Sequence, residues 1–596
     1  MSRHRTILTI LHGIIWLLIV SVVQATGYEL DTHAAISAQA VQGSTADQVL
    51  KESLAFTEGA GEIFNGRSAI DWIAEGSRRE DALLPTPRFL RHFHNPLRPW
   101  SEAGFGLFQS SILWGQNLEQ DWSWSQVRRY YYDALTSSTR TERERAFAKT
   151  FRGLGHLIHL VQDAASPAHT RNDPHAGFNY ENLVLAVQQT EAGVFQGFLT
   201  NPQKPDPGWQ TLPSDPLAPI PIARVIDTDR YDRTNPGVTT QALIGLSEYT
   251  NANFFSEDTT FNQNLVPPAN FPFPARTSVQ VGTHQIELRK DDGTREVVNR
   301  LYYDKVADGD VGYRLATVGF LRDYIQRFNL DPNRLDERPA LDESVYRDYA
   351  AKLLPRAVGY SAGLLDYFFR GRLEVDLVQA DPTDPSVVQL SGTNASSEKL
   401  DGGTLTLYAD DPATGTRGEA AALDPTLTVT AAPGAPVLSA RFRVPAEAER
   451  FVAVYRGRLG NEGPQGAFPG GVAGKVLGGV RVESIYPEGE KRLLRTVEGV
   501  FPLPPTADRL ERMQWGDQDN TVVGTLSSSP DPRAPDQLVA LKINRPLGST
   551  AVPLVAAPDG TQVVSANVLK AVDFPYGLSL GVTVNYSETF HLQQFL

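Results

Sequence analysis

Between Tyr28 and about Arg370 the apolar residues recur at three- and four-residue steps, as in Phe147, Phe151 and Leu154 and again from Val358 to Phe369. That spacing lays one apolar stripe along a helix. Past Arg370-Gly371-Arg372 the period drops to two, in short alternating runs such as Thr404–Tyr408, Ser439–Val444 and Phe451–Tyr455 separated by glycine and proline turns. Alternation of this kind marks strands with one buried face. The pattern predicts a multidomain chain: an all-α domain over 26–371, a β-sandwich-like domain over 372–479 and a second β-rich domain over 480–596. At 596 residues the chain is too long for a single core. An insert at about 201–300 breaks the helical pattern: 201–237 is rich in proline and polar residues, and Ile286–Val298 reads as two strands joined at Asp291-Asp292-Gly293. Loops or a small hairpin over a site are expected there. Gly460–Gly479 holds eight glycines and two prolines, which predicts a linker or long loop. No repeat of fixed period is present.

The first 25 residues follow a different logic. Arg3 and Arg5 precede an apolar run from Ile7 to Val23, and Val23-Gln24-Ala25 offers small residues where a signal peptidase reads them. A signal peptide over 1–25 and a secreted or periplasmic protein are expected. The run is near the lower length limit for a membrane span, so an uncleaved anchor is the alternative. The chain has no cysteine. It therefore carries no lipid on cysteine and no disulfide, and its stability must come from core burial and bound metal.

Four of the eleven histidines fall in one short stretch: His156, His159, His169 and His175, followed by Glu181. His159 and Asp163 are four apart and share a helix face. Pro167 stops that helix, a turn swings His169 back toward it, and His175 and Glu181 follow on a loop that ends in a new apolar helix. Imidazole nitrogen combined with carboxylate oxygen suits zinc. A lone histidine on an apolar face is more simply a hydrogen-bonded core residue, and His156 fits that reading. His284 and His591 read as surface residues, and Tyr130-Tyr131-Tyr132 as core packing rather than a substrate cleft. Gly470-Gly471-Val472-Ala473-Gly474-Lys475-Val476 imitates a phosphate loop. Its first glycine is at the wrong spacing and a valine replaces the metal-binding hydroxyl, so it reads as a flexible loop.

The run around His159, Asp163 and His169, with a proline before the last histidine, resembles the zinc-dependent phospholipase C family, which shares its fold with the S1/P1-type zinc nucleases. Other pieces come in the family's order. Asp31-Thr32-His33 supplies a histidine opening the first helix, and Glu80-Asp81 precedes Arg91-His92-Phe93-His94-Asn95-Pro96. The resemblance implies an all-α, phospholipase C/P1 nuclease-like catalytic domain. It implies a metal set of His33, Asp81, His92, His159, Asp163, His169, His175 and Glu181, with Asp163 bridging two ions and Asp81 both binding metal and accepting a proton from the attacking water. Two features depart from the family. Its last histidine and glutamate lie one helical turn apart, whereas five residues separate His175 from Glu181 here. Its secreted members also use the amino group of an N-terminal tryptophan, and the first tryptophan after the apolar segment here is Trp72. Two or three zinc ions are expected.

Such a site hydrolyses phosphate esters. The leading expectation is a phospholipase C acting on phospholipid and releasing diacylglycerol and a phosphorylated head group. The alternative is an S1/P1-type nuclease or phosphomonoesterase. The net charge of −14 weighs against nucleic acid, whose binding relies on basic surface. A third reading makes the metal structural and the β region a non-catalytic surface-binding module. A structural zinc needs only four donors, and eight candidates are present.

Overall fold

The computed structural model describes residues 30–477 apart from internal stretches, the longer ones being 82–87, 213–220, 263–270 and 320–338. Beyond 477 it describes the backbone of strands lying between 482 and 583. The proposed signal segment and His591 lie outside the described residues. The chain divides into two compact units, one made of 1–45, 67–129 and 148–368, the other of 46–66, 130–147 and 369–596.

The first unit is mainly helical. Its longest helix wholly inside the unit, Glu343–Phe368, is buried on nearly every face: Val345, Tyr346, Tyr349, Leu353, Leu354 and Val358 are all at or below 1% exposure. From Ala357 to Leu365 it is buried on every side, as a core helix is, while Glu343, Arg347, Lys352 and Arg356 carry charge before that stretch. Ligand candidates sit on the helices around it. The Ala69–Glu80 helix starts at Ser68, whose hydroxyl accepts from the Asp71 N–H at 3.1 Å, and it ends at Asp81 as its C-cap. It crosses the Arg140–Asp163 helix at two glycines. A Cβ on Gly76 would lie 1.9 Å from the Arg152 carbonyl oxygen, and one on Gly155 would lie 2.0 Å from the Ile73 carbonyl oxygen. Only glycine permits this approach, which carries Asp81 to the face where His159 and Asp163 point. Gly155→Ala is expected to destabilise the protein by about 1–3 kcal/mol, the range for overpacking, and denaturant titration measures it.

The insert combines short 3-10 turns, the Leu246–Asn253 helix and a three-stranded antiparallel sheet. Val279–Arg289 pairs with Arg295–Lys305, which pairs with Tyr313–Thr317. The hairpin is longer than the alternation in Ile286–Val298 suggested, and residues 290–293, which hold its expected turn, lie outside the described residues. The first unit is thus not purely α.

In the second unit two antiparallel sheets share one apolar core. One sheet is formed by Leu373–Gln379, Val387–Asn394, Pro436–Arg443 and Ala421–Ala422. The other is formed by Thr428–Ala431, Leu400–Asp410, Arg450–Leu459 and Gly471–Leu477, with Arg417–Glu419 beside Leu400–Asp410. Leu373, Leu390, Leu407, Phe442, Ala453 and Ala473 meet in that core. The glycine-rich stretch departs from expectation. Gly471–Leu477 is a buried strand in register with Phe451–Gly457, not a linker and not a flexible loop, and no phosphate cradle forms there. Glycine suits it because neighbours press close: a Cβ on Gly474 would lie 2.8 Å from Leu135 Cδ1. Segments 46–66 and 130–147, which helical periodicity assigned to the first domain, belong to this unit for a related reason. Phe56, Phe64 and Phe147 pack ring against ring at 4.9–5.1 Å, and the Val476 N–H donates to the Ser53 carbonyl. Tyr131 is buried here and Tyr132 meets Tyr408 at 3.3 Å, so these tyrosines pack and line no metal site. Beyond 480 the described strands form small antiparallel sheets of two or three strands.

Candidate metal centre

All eight sequence-derived candidates are buried in the first unit. Each is placed by its own element: His33 by the Leu30–Gln42 helix, Asp81 by the helix cap, and His92 just after the Arg88–Arg91 turn. His159 and Asp163 lie on the Arg140–Asp163 helix. His169 sits on the single turn Pro167–Thr170, His175 on the loop after it, and Glu181 in the first turn of Tyr180–Thr190, which Asn179 caps through the Asn182 N–H.

They form three donor groups: His33, His159 and Asp163; Asp81, His92 and His159; and His169, His175 and Glu181. Within each group the ligand atoms lie within 4.8 Å of one another. Asp163 faces histidines on both sides, with Oδ1 3.4 Å from His33 Nε2 and Oδ2 2.8 Å from His92 Nδ1 and 3.1 Å from His159 Nε2. The same Oδ2 is 4.0 Å from His169 Nδ1. Asp81 lies 3.3 Å from His92 and 3.5 Å from His159. Glu181 meets His169 Nε2 at 3.2 Å and His175 Nε2 at 2.8 Å. The five-residue gap between His175 and Glu181 is therefore spanned by a loop that still delivers both donors.

The ring orientations suit ligation. His33 Nδ1 is 2.6 Å from Gln162 Oε1, His159 Nδ1 is 2.8 Å from the Ser77 carbonyl and His175 Nδ1 is 3.1 Å from the Asp173 carbonyl. Each acceptor oxygen fixes the proton on Nδ1 and turns the Nε2 lone pair toward the cluster, the outer support that metal-binding histidines require. Both carboxylate oxygens of Asp81 and of Asp163, both nitrogens of His169 and Glu181 Oε1 are buried without a hydrogen bond. An unsatisfied buried polar group costs about 1–3 kcal/mol, more when charged, and a cation among them removes that cost. The three groups can hold metal ions, and their nitrogen and oxygen donors fit zinc.

With no ion bound, protons on the imidazoles balance the buried carboxylates. Burial lowers the His33 pKa to about 4, helped by the His159 ring. At His159 the Asp163 and Asp81 carboxylates outweigh desolvation and raise the pKa to about 10; Glu181 does the same for His175, also to about 10. Burial works against ionising Asp81, Asp163 and Glu181, yet the surrounding imidazoles hold all three below the usual carboxylate range.

His156 stays outside the donor groups. Its Nδ1 lies 2.5 Å from Glu80 Oε2 and its ring stacks on Trp122 at 4.8 Å. Glu80 itself is taken up by Arg88 Nε at 2.8 Å and Trp114 Nε1 at 2.9 Å, which leaves its neighbour Asp81 facing the histidines. His284 pairs with Asp304 at 2.8 Å on the hairpin. Gln162 was not apparent from ligand spacing, although it lies three residues after His159 and beside Asp163, where a polar residue inside an apolar stripe is a usable signal. It bonds His33 and donates to the Ser37 hydroxyl at 2.9 Å. Gln162→Leu is expected to weaken zinc binding about 10–100-fold with the fold retained, the usual effect of losing such a support, as read by competition with a chromophoric chelator.

No protein-family model matches this chain, and no curated protein matches it. Among solved structures, alpha-toxin of Clostridium perfringens from avian strain SWCP is similar at 10% identity over 80% of this chain and 94% of its own, with a TM-score of 0.19. Alpha toxin from Clostridium absonum is similar at 10% identity over 81% and 99%, with a TM-score of 0.21. Overlaps of that quality assign neither fold nor activity. Among the described residues no helix is long and apolar enough to cross a membrane.

Proposed function

We propose that this chain is an exported zinc-dependent phosphodiester hydrolase and, within that class, a phospholipase C. The observation that carries the reading is the convergence of three buried donor groups, each with its own carboxylate, together with the reach of Asp163 beyond its own group: Oδ1 faces His33, and Oδ2 faces His159 and the neighbouring group's His92. A structural zinc is satisfied by four donors, so eight converging donors argue for two or three ions and for chemistry. The net charge of −14 favours a phospholipid over a polyanionic nucleic acid.

His33 and Asp163 would hold one ion, Asp81, His92 and Asp163 a second, and His169, His175 and Glu181 a third; the single Nε2 lone pair of His159 would serve either the first or the second ion. Zinc in such a cluster supplies positive charge for the phosphate oxygens and lowers the pKa of water. The protein's own contribution is orientation and proton handling. Gln162, the Ser77 carbonyl and the Asp173 carbonyl hold three imidazoles in one tautomer. Asp81, ionised and 3.3 Å from His92 and 3.5 Å from His159, would accept the proton of an attacking water. No arginine finger is needed, because charge on the phosphate can be neutralised within the cluster.

The test is turnover of a phosphocholine ester and of single-stranded DNA by the purified, zinc-loaded protein, together with its metal content. The expected result is at least two zinc ions per chain and preferential release of phosphocholine. Preferential cleavage of DNA would move the assignment to the nuclease branch, and less than one metal per chain would overturn the hydrolase reading. Export predicts a mature N-terminus following Ala25, which N-terminal sequencing reads; an intact Met1 or Ser2 would assign an anchor.

A further inference from the structure

The second unit contains a cavity of about 440 Å³ that takes no part in the metal chemistry. One wall is apolar, built on the packed rings of Phe56, Phe64 and Phe147 together with Leu135 and Val452. The opposite chemistry is concentrated in four arginines, Arg140, Arg143, Arg417 and Arg450. Asp410 serves two of them: it forms a two-bond pair with Arg417 at 2.6 and 2.8 Å and lies 3.9 Å from Arg450. Glu144 pairs with Arg140 at the exposed rim at 2.8 Å. Arg143 donates to the carbonyls of Ser137, Ser138 and Gly415, which position its guanidinium without neutralising it. Desolvation and the like charge of Arg417 both lower the Arg143 pKa, as crowded cations do. Glu62 also lines the cavity, so four guanidinium groups face the three carboxylates of Asp410, Glu144 and Glu62 and the lining stays net positive in a chain of net charge −14; that excess beside an aromatic wall attracts small anions.

We propose that this cavity binds a small anionic amphiphile, its sulfonate-, phosphate- or carboxylate-type head at Arg143 and Arg450 and its apolar body along Phe56, Phe64 and Phe147. The bound molecule would bridge 46–66, 130–147 and the sheet strands, segments distant in sequence. The site is independent of the zinc cluster and of the activity assigned to it.

Octanesulfonate is the probe, since a sulfonate is a poor zinc ligand, and binding is followed by calorimetry on the full-length, zinc-loaded chain. Saturable one-to-one binding is expected, with methanesulfonate and octyltrimethylammonium each weaker by more than about tenfold, or 1.4 kcal/mol. Arg143→Gln should weaken octanesulfonate by about tenfold or more, in the range for loss of a charged hydrogen-bonding partner. Arg140→Glu alters a side chain 82% exposed, where folding is not at stake, and should weaken it by about threefold or more through charge reversal at the rim. Asp163→Asn should leave octanesulfonate affinity within about twofold, since independent sites do not couple. Equal binding of octanesulfonate and methanesulfonate overturns the amphiphile assignment. Wild-type affinity in both arginine variants, or loss of affinity in Asp163→Asn, overturns the location.

Discussion

Asp163→Asn is expected to lower phosphodiester turnover by about a thousandfold or more, equivalent to about 4 kcal/mol of barrier, and to lower zinc content by about one ion per chain. The expectation follows from where the carboxylate stands. Oδ1 faces His33 at 3.4 Å while Oδ2 faces His92 at 2.8 Å and His159 at 3.1 Å. Asparagine keeps the shape, but its amide nitrogen is a donor that must point at one of these imidazole groups, and the change removes a negative charge from a fully buried cluster. Two dications held close together would then repel one another with less compensation, in surroundings that screen poorly. Losing one of them would remove both charge stabilisation of the phosphate and the lowered pKa of water, two effects of several kcal/mol. His284→Ala is the control: that residue sits on the hairpin, paired with Asp304, and should leave zinc content and turnover unchanged. Elemental analysis and initial rates with a phosphocholine ester measure both. A variant retaining more than about a tenth of wild-type turnover, under about 1.4 kcal/mol, is incompatible with a bridging Asp163.

What the sequence made legible here was local and chemical. His159 and Asp163 are one helical turn apart and Pro167 fixes the turn before His169, so that part of the cluster could be drawn from spacing alone. Choosing Asp81 over Glu80 had no basis in helical geometry, because adjacent residues on a helix end differ only in direction. That direction is set by Arg88, Trp114 and His156 claiming Glu80, contacts made across up to 76 residues. The Gly76–Gly155 crossing was equally hidden, since a glycine inside a helix reads only as a local weakness until the neighbouring backbone is known. The strand at Gly471–Leu477 was misread because glycine content signals flexibility, whereas close packing against Leu135 makes glycine the residue that fits. Segments 46–66 and 130–147 have helical periodicity, and period says nothing about which core an apolar stripe will join.

Removing zinc with a chelator at pH 7 is expected to lower the melting temperature by roughly 6 °C per ion lost, taking about 4 kcal/mol of linkage at a free zinc concentration about 1,000-fold above Kd and the unfolding entropy of a unit of this size. The same cluster predicts how that gain depends on pH. With no ion bound, His159 and His175 have pKa values raised to about 10 by Asp163, Asp81 and Glu181 against desolvation, compared with 6.5 for the unfolded chain. A group raised on folding contributes stability that is fully present below the unfolded pKa and is lost as pH rises through the folded one. The chelated protein should therefore lose stability between about pH 7 and 10, as these imidazolium-carboxylate pairs are deprotonated. Zinc needs the neutral imidazoles and competes with the same protons, so its stabilising effect should grow over that window. The pKa of His92 is also raised, but its Nδ1 faces His159 Nε2 at 3.1 Å, and two imidazolium N–H groups cannot point at each other across that gap. The His92–His159 pair then carries one shared proton and His175 another, which gives release of about two protons on zinc loading at pH 7. His33, lowered to about 4, contributes none. Calorimetric titration of the chelated protein with zinc in two buffers of different ionisation enthalpy counts those protons directly. Zinc uptake without proton release would mean that the ions bind somewhere other than among these histidines.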